Sequence, residues 1–236
     1  MENNIYSPEF VKRLFNRMSS SYERMNYITS FGFSIRWRTQ FLNSFIQTSE
    51  EVEIIDLLTG MGETWKETKC KLPNSKLTAL DFSVEMLKYA KQKSKVKFNN
   101  EIKILQQDIL KNQLPSNHFD FVTCAFGLKT FNTEQLNILA LETKRILKPG
   151  GQFSFIEVSK PDNKILKVLY GFYLGQIIPI LGKLLLGNIE EYKMLWQYTN
   201  KFENSKKSKE IFAMTGLKTE FTSYFYGCAT GFCGYK

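Results

Sequence analysis

The sequence contains little of what metal sites and disulfide frameworks are built from. Its 236 residues include one histidine and four cysteines, and no two cysteines have C-x-x-C spacing. Because zinc sites and redox motifs usually need closely spaced Cys and His, neither is expected, and reduced thiols of a cytosolic protein are the simpler interpretation. The polar opening "MENNIYSPEF" lacks the regions of a secretory signal. The sequence therefore predicts a cytoplasmic protein.

Long hydrophobic runs are also absent. The longest uncharged apolar run, "VLYGFYLGQIIPILG" at residues 168–182, has 15 residues and is interrupted by Pro179. A bilayer requires roughly 20 consecutive apolar residues in a helix. We interpret this run as a buried helix pair or an apolar lid, and not as a membrane span.

Acidic residues are too few to balance the basic ones. The chain has 32 Lys and Arg against 23 Asp and Glu, a net charge of +9. A positive net charge can indicate binding to nucleic acid or to an anionic membrane surface. Lysines spread over solvated faces explain the same charge equally simply. Zinc-finger, RNP and basic-region motifs are missing, so no nucleic-acid partner is expected. Peripheral membrane contact remains open.

Short apolar runs of strand length alternate with helical patterns along the first two thirds of the chain. The predicted strands are 52–57, 76–82, 102–108, 119–126 and 152–158. Helical periodicity covers a first helix capped by Ser7, then residues 84–93 and 133–147, with "KPGG" ending the last of these. Such alternation predicts right-handed βαβ units and a mainly parallel sheet with helices on both faces.

The C-terminal third has a different pattern. Residues 159–205 are rich in aromatic side chains and lack strand spacing, a helix is expected to end at Gly216, and residues 217–227 and 229–235 predict a final antiparallel strand pair. No linker or repeat divides the chain. The sequence predicts one α/β domain over 1–236 with a seven-stranded, mainly parallel sheet. Residues 1–48 would form a helical cap, and 159–205 a hydrophobic substrate lid.

Two glycines after the first predicted strand indicate a ligand site. Asp56 ends that strand, Gly60 and Gly62 follow, and Asp81 ends the next strand 19 residues after Gly62. Ligands bind outside the carboxyl ends of parallel strands, and an acid at this spacing typically accepts hydrogen bonds from ribose hydroxyls. The alternatives are a simple tight turn for the glycines and a helix cap for Asp81.

Two common nucleotide fingerprints are incomplete here. The third glycine of the dinucleotide pattern would stand at Trp65, and no Gly-Lys-Ser/Thr follows the glycines, which excludes the Walker pattern. An adenosyl ligand without a pyrophosphate fits the remaining features. S-adenosyl-L-methionine (SAM) is such a ligand.

Motifs along almost the whole chain resemble those of one family. The segments "SYERMN", "SFGFSIRWR", "IIDLLTGMGE", "LDFSVEMLKYA", "AFGLKTF", "ILKPGGQFSFIEVSKP" and "GFCGYK" resemble the ubiquinone/menaquinone biosynthesis C-methyltransferases, Rossmann-like class I SAM-dependent enzymes. All class I methyltransferases share the glycine loop, whereas "AFGLKTF" and "LKPGG…EVSKP" together are more specific. The resemblance implies methylation of a ring carbon of a polyprenylated quinol, a demethylmenaquinol-like acceptor or a ubiquinone precursor.

The resemblance also implies a set of cofactor-binding residues. The glycine loop would wrap the methionine end of SAM, Asp81 would hold the ribose, Asp108 and Ile109 would frame the adenine, and Ala125 would flank the methionine moiety. The full expected set is Asp56, Thr59, Gly60, Met61, Gly62, Asp81, Phe82, Met86, Asp108, Ile109 and Ala125.

Two residues are the catalytic candidates. Ionising a phenolic hydroxyl, with a reference pKa of about 10, makes the adjacent ring carbon nucleophilic, and a nearby fixed cation lowers that pKa. Lys129, in the place of a family arginine, is the candidate cation, with a solvated surface lysine as the alternative. The resemblance implies that Tyr22 closes over the cofactor, where its phenol can hydrogen-bond the methionine carboxylate or the substrate. A core tyrosine is the alternative. His118 is expected to be a loop residue and not a general base.

Departures from the family leave other functions open. Thr59 replaces a usual glycine, Lys129-Thr130 replaces Arg-Asn, and a histidine is missing around Phe232. One alternative is a SAM-dependent methyltransferase of another hydrophobic small molecule in secondary metabolism. The other is a non-catalytic SAM-binding assembly subunit. The sequence does not decide whether the chain forms a homo-oligomer.

Overall fold

A seven-stranded sheet forms the centre of the part of the chain that the computed structural model describes, residues 5–20, 22–30, 32–178, 180 and 190–236. The strands are β1 Val52–Leu57, β2 Ser75–Asp81, β3 Lys103–Gln106, β4 Phe119–Ala125, β5 Leu147–Val158, β6 Lys218–Tyr224 and β7 Ala229–Tyr235. Their order is β3-β2-β1-β4-β5-β7-β6. Neighbours among the first five strands pair in parallel, and β7 runs antiparallel to both β5 and β6. The predicted α/β fold, with a seven-stranded, mainly parallel sheet and a C-terminal antiparallel strand pair, is confirmed.

Helices cover the sheet. They are α1 Pro8–Met18, α2 Tyr22–Thr29, α3 Phe33–Phe41, α4 Trp65–Lys71, α5 Val84–Lys97, α6 Thr133–Ile146, α7 Lys164–Phe172, α8 Glu190–Phe202 and α9 Lys206–Met214. Successive strand residues point to opposite faces. Ile54 therefore joins a core with Trp37 of α3, and Ile55 joins another core with Leu139 of α6. This double coverage explains why the parallel strands are almost continuously apolar.

Local capping signals set several helix starts. Ser7 accepts a hydrogen bond from the Phe10 amide at 3.2 Å, and Ser83 accepts one from the Met86 amide at 3.2 Å. Asn132 and Gln135 form a reciprocal capping box at the start of α6. Because Ser83 caps α5, the alternative role of Asp81 as that cap is not observed.

Several predicted boundaries shift by a few residues. α5 continues to Lys97, four residues beyond the prediction, and β3 ends at Gln106, two residues early. β5 begins at Leu147, so the "KPGG" segment that was expected to separate helix from strand belongs to the strand. A shift in pairing between β4 and β5 near Phe119 accommodates it.

The apolar segment after β5 is only partly buried. On α7, Leu166 and Tyr170 pack against the core, but the opposite face exposes large apolar side chains. These are Ile165, Val168, Leu169 and Phe172, between 60% and 74% exposed. The buried-helix-pair interpretation is therefore wrong for this face. Residues 179 and 181–189 of the predicted lid lie outside the described residues. No helix in the described part of the chain has the length and apolarity to cross a bilayer.

The topology defines one switch point. β1 pairs in parallel with both β2 and β4, and the chain proceeds outward from β1 on one side and from β4 on the other. In open α/β sheets the ligand crevice lies outside the carboxyl ends of the strands at such a point.

Candidate active site

A cavity of about 890 Å³, including its open mouth, lies at this switch point. We call it the switch-point cavity. The sequence-predicted residues that line it are Tyr22, Asp56, Thr59, Gly60, Asp81, Phe82, Met86, Asp108, Ile109 and Ala125. Met61 and Gly62 instead line a separate outer cavity, and Lys129 lines a neighbouring one. The structure thus brings together most, but not all, of the predicted site.

Asp56 organises the glycine loop. Its Oδ2 accepts hydrogen bonds from the hydroxyls of Thr59 and Thr64, both at 2.6 Å, and its Oδ1 accepts one from Thr123 at 2.9 Å. Burial raises the pKa of Asp56, and these three hydrogen bonds oppose the rise. Both carboxylate oxygens therefore connect the end of β1 to the loop and to β4, and direct contact of Asp56 with a cofactor stays a prediction.

Trp65 explains why the loop departs from the glycine fingerprints. Its indole Nε1 donates a hydrogen bond to Thr59 Oγ1 at 2.8 Å, and the ring is fully buried. Gly62 has φ +75, and a Cβ there would lie 2.5 Å from the indole ring. Glycine is therefore required at 62, whereas the Thr59 hydroxyl links Asp56 to Trp65. Threonine at position 59, where the family usually has glycine, therefore has a structural role in the loop.

Asp81 lies at the end of β2 with both oxygens turned to backbone amides. Its Oδ2 accepts from the Gly60 amide at 2.9 Å, and its Oδ1 accepts from the Ser83 amide at 2.8 Å. Burial raises the pKa of Asp81 to about 6, although these amides act in the opposite direction. Each carboxylate oxygen can accept a further hydrogen bond, so the side chain remains able to bind ribose hydroxyls.

Asp108 caps a short turn and also lines the switch-point cavity. Its Oδ1 accepts a hydrogen bond from the Leu110 amide at 2.9 Å, which caps the short turn Ile109–Lys111. Its side chain thus stabilises a local turn, and its contact with an adenine ring stays a prediction. Together with Ile109 it also lines the switch-point cavity, where an adenine ring is expected.

Glu63 is a site residue that the sequence reasoning did not select. Its Oε2 accepts a hydrogen bond from the Met61 amide at 3.0 Å, while its Oε1 is buried and has no hydrogen-bond partner among the described residues. Because an unpaired buried carboxylate oxygen is costly, this atom suits a cation supplied by a ligand. SAM carries an α-ammonium group, so the lining of the cavity fits that cofactor. The acid after the second glycine was the available sequence signal.

A second cavity of about 790 Å³ adjoins the first, and we call it the lid cavity. Tyr22, Arg38 and Phe126 line both cavities, so the two meet at these side chains. The rest of the lid cavity is mainly apolar and aromatic. Its other lining residues include Trp37, Val158, Tyr170, Leu174, Ile178, Leu195 and Trp196.

Lys129 is buried and paired. Its Nζ donates to Glu157 Oε1 at 2.5 Å and to the Phe126 carbonyl at 3.3 Å, and its amide donates to Glu157 Oε2 at 3.2 Å. Lys129 is 6% exposed and Glu157 is fully buried. The alternative of a solvated surface lysine is therefore wrong. Glu157 was missed, although an acid inside the apolar run "QFSFIEV" signalled a buried charge that needs a partner.

Tyr22 lies where the two cavities meet. Its ring packs edge-on against Phe15, with centroids 5.8 Å apart. Burial raises the pKa of the Tyr22 phenol, and the nearby Glu63 carboxylate raises it further. A side-chain hydrogen bond with Asn26 lowers the pKa and partly opposes both effects. The catalytic role of Tyr22 stays a prediction.

Two other residues of interest lie away from both cavities. His118 precedes β4, at the opposite end of the strand from the switch point, and its Nε2 is 3.9 Å from Glu53 Oε2. Phe232 is fully buried and stacks on Phe155 with centroids 5.3 Å apart. The position where the family commonly has a histidine is thus a core position in this chain.

Comparison with known proteins gives consistent matches over the full chain. The model of the ubiE/COQ5 methyltransferase family matches residues 3–236. A demethylmenaquinone methyltransferase of Geobacillus stearothermophilus is 32% identical over 230 residues, 97% of each chain. One of Staphylococcus aureus is also 32% identical, over all of this chain and 97% of that one. The fold resembles a SAM-dependent methyltransferase of Aquifex aeolicus, with a TM-score of 0.57, 19% identity and coverage of 84% and 88%.

Proposed function

Since the chain belongs to the ubiE/COQ5 methyltransferase family, we propose that it transfers a methyl group from SAM to a ring carbon of a lipophilic quinol of the demethylmenaquinol type. The family makes the chain a SAM-dependent methyltransferase. The choice of a quinol draws on the relatives from G. stearothermophilus and S. aureus, which are demethylmenaquinone methyltransferases. A non-catalytic assembly role has lost its main support, because Thr59 has a structural function in the loop.

The chain's own residues would hold the cofactor by charge and hydrogen bonding. Asp81 would accept from the ribose hydroxyls, Asp108 from the exocyclic amine of adenine, and Glu63 from the α-ammonium group. Phe82 and Met86 line the same cavity and would pack against the adenosyl group. When bound, SAM supplies an electrophilic methyl group on a sulfonium centre.

The observation that carries the proposal is the junction of the two cavities. The cavity suited to SAM opens, at Tyr22 and Phe126, onto an apolar cavity of a size that holds a fused aromatic ring. Tyr170 and Trp196 line this apolar cavity but not the switch-point cavity, and an isoprenoid tail would pack against them. An apolar surround excludes water from the reacting atoms, and the fixed arrangement of both cavities brings the ring carbon towards the methyl group.

The test is a product assay with the purified chain. SAM and a chemically reduced demethylmenaquinol are expected to give a product heavier by one methylene unit, with the new methyl on the ring carbon by NMR. A methyl on oxygen, or turnover only with unrelated hydrophobic acceptors, would favour the secondary-metabolism alternative. Binding of S-adenosylhomocysteine in calorimetry without turnover on any acceptor would favour the assembly-subunit alternative.

We further propose that α7 contacts an anionic membrane surface when the acceptor is collected. Its outer face carries Ile165, Val168, Leu169 and Phe172, all mostly exposed, with i, i+3, i+4, i+7 spacing. Lys164 and Lys167 lie on the same helix, and the chain carries a net charge of +9. An apolar helix face flanked by lysines is typical of interfacial membrane binding.

A matched pair of valine variants tests this contact. Val168 of α7 and Val96 of α5 are both 71% exposed. Because inserting a valine side chain into a bilayer is worth about 1.5 kcal/mol, Val168→Ser is expected to weaken binding to vesicles containing phosphatidylglycerol roughly tenfold. Val96→Ser should bind as the wild type does. Equal binding by both variants in a flotation assay would contradict the proposal.

A further inference from the structure

Arg38 of α3 is a buried cation that has no compensating partner in the part of the chain that the structure describes. It is 7% exposed. Its Nε is buried and has no hydrogen-bond partner among the described residues. Among the same residues, no carboxylate forms an ion pair with the guanidinium. Glu63 lines the switch-point cavity as Arg38 does, but it does not pair with Arg38. Burying a charge without a partner is costly, so a buried arginine at this position indicates a functional role.

The guanidinium lies at the junction of the two cavities. Its Cζ is 5.1 Å from the centroid of the Phe126 ring, in a cation–π arrangement. Phe126 itself has φ +65, an uncommon backbone conformation for a phenylalanine, immediately after β4. Its amide donates to the Ile156 carbonyl at 2.8 Å. The aromatic ring supports the cation without neutralising it, which leaves the charge available to a ligand.

The other charged and titratable groups of the lid cavity do not supply this charge. Lys129 lies 2.5 Å from the Glu157 carboxylate, so the two charges compensate each other. Burial raises the pKa of both Tyr22 and Tyr170, and both phenols are neutral at neutral pH. Of the described residues that line the lid cavity, Arg38 is therefore the one that presents an uncompensated positive charge.

We propose that Arg38 binds the ionised ring hydroxyl of the methyl acceptor, an inference that rests on the proposed function. The hydroxyl O–H bond breaks, its proton leaves to solvent, and its electron pair stays on the oxygen and is shared with the adjacent ring carbon. A guanidinium stabilises that anion without taking the proton, because arginine does not deprotonate in proteins. Arg38 is then the catalytic cation, and the acceptor class is an aromatic ring alcohol bound as its anion.

The experiment uses 1-naphthol, whose ultraviolet spectrum changes on ionisation at wavelengths beyond tyrosine absorption. The protein is saturated with S-adenosylhomocysteine, and the bound naphthol is titrated spectroscopically. In the wild type its apparent pKa is expected to lie at least about one unit below the value in water, a tenfold shift in the ionisation equilibrium. Arg38→Met should abolish this shift. Arg36→Met, an exposed arginine on the same helix, should leave it unchanged.

Several outcomes would overturn the assignment. If naphthol bound to the wild type has the same pKa as naphthol in water, the assignment of Arg38 is contradicted, and no variant is needed to show it. An Arg38→Met protein that loses binding of S-adenosylhomocysteine while the naphthol shift persists also contradicts it, because Arg38 would then serve the cofactor carboxylate. If Arg38→Met does not fold by circular dichroism, Arg38→Lys replaces it and should retain most of the shift. Complete loss of the shift in a folded Arg38→Lys protein contradicts the role.

The experiments distinguish a failure of the proposed function from a failure of the proposed role of Arg38. A depressed naphthol pKa together with no methylation of any quinol would contradict the proposed substrate but support the anion site. Methylation of the quinol with an unshifted naphthol pKa would contradict the role of Arg38 alone.

Discussion

Glu157→Gln is expected to lower the free energy of unfolding by about 3–5 kcal/mol, the usual cost of leaving one member of a buried ion pair without its partner. Glu157 is fully buried on β5, and its carboxylate binds both the Nζ and the amide of Lys129. Removing the negative charge leaves the Lys129 ammonium, 6% exposed, without compensation. Urea unfolding followed by circular dichroism measures the loss.

Two control variants separate charge burial from ordinary side-chain loss. Lys129→Met/Glu157→Met replaces the pair by apolar groups and is expected to recover most of the lost stability. Glu142→Gln removes an acid whose partner is the partly exposed Arg145, and should cost below about 1 kcal/mol. A Glu157→Gln protein as stable as the Glu142→Gln protein would show that the buried pair contributes no such charge compensation.

The same double variant tests whether Lys129 is a catalytic cation. If Lys129 ionises the acceptor, the double variant should bind S-adenosylhomocysteine normally and lose turnover. If Arg38 supplies the charge, the folded double variant should retain turnover to within about tenfold. Single replacement of Lys129 by Met is less informative, because it leaves the buried Glu157 carboxylate unpaired and disturbs the site in both cases.

Asp81→Asn is expected to weaken binding of SAM and of S-adenosylhomocysteine on the order of 100-fold. Hydrogen bonds to a charged acceptor contribute about 1.5–3 kcal/mol each, and an amide supplies one acceptor oxygen and no charge. Asp162→Asn, in which the replaced side chain is 84% exposed, is the matched control and should bind normally. Calorimetry gives both affinities, and equal values would remove Asp81 from the cofactor site.

The raised pKa of Asp81 also predicts a pH dependence. Burial moves it from 3.8 to about 6 in the folded protein without cofactor. The folded state therefore binds more protons than the unfolded state between about pH 4 and pH 6, and the contribution of this group to stability falls as pH rises through that window. Cofactor affinity has the opposite trend, because ribose hydroxyls bind the carboxylate. It should fall about tenfold per pH unit below pH 6, and Asp81→Asn should lack this dependence.

Much of the fold was predictable because its signals are local. Apolar runs of strand length, the cap at Ser7 and the turn at Gly60 and Gly62 each depend on a few neighbouring residues. Asp81 could be located for the same reason, since a strand end at a set spacing from the glycines places it at the crevice. Element ends were less predictable: β5 begins at Leu147, which pairs with Phe119, and "KPGG" lies in the irregularity before pairing with β4 resumes at Gln152.

The surroundings of the charged side chains in the site could not be predicted in this way. Lys129 was recognisable by its motif, but its partner lies 28 residues away on β5, so its neutralisation was not visible in the local sequence. Arg38 belongs to the N-terminal helical segment and reaches the junction of the cavities only through the packing of α3. The exposed face of α7 was likewise misjudged, because hydrophobicity alone does not indicate which side of a helix has a neighbour.

The order of strands and helices, the glycine loop and the carboxylates at the strand ends can all be read from the amino-acid sequence, since backbone preference and hydrophobic periodicity act between near neighbours. Which positive charge is neutralised, and which stays available to a ligand, depends on the assembled fold. Compensation of a buried charge depends on distance in space, and residues far apart in the chain meet only when the sheet and its covering helices are assembled.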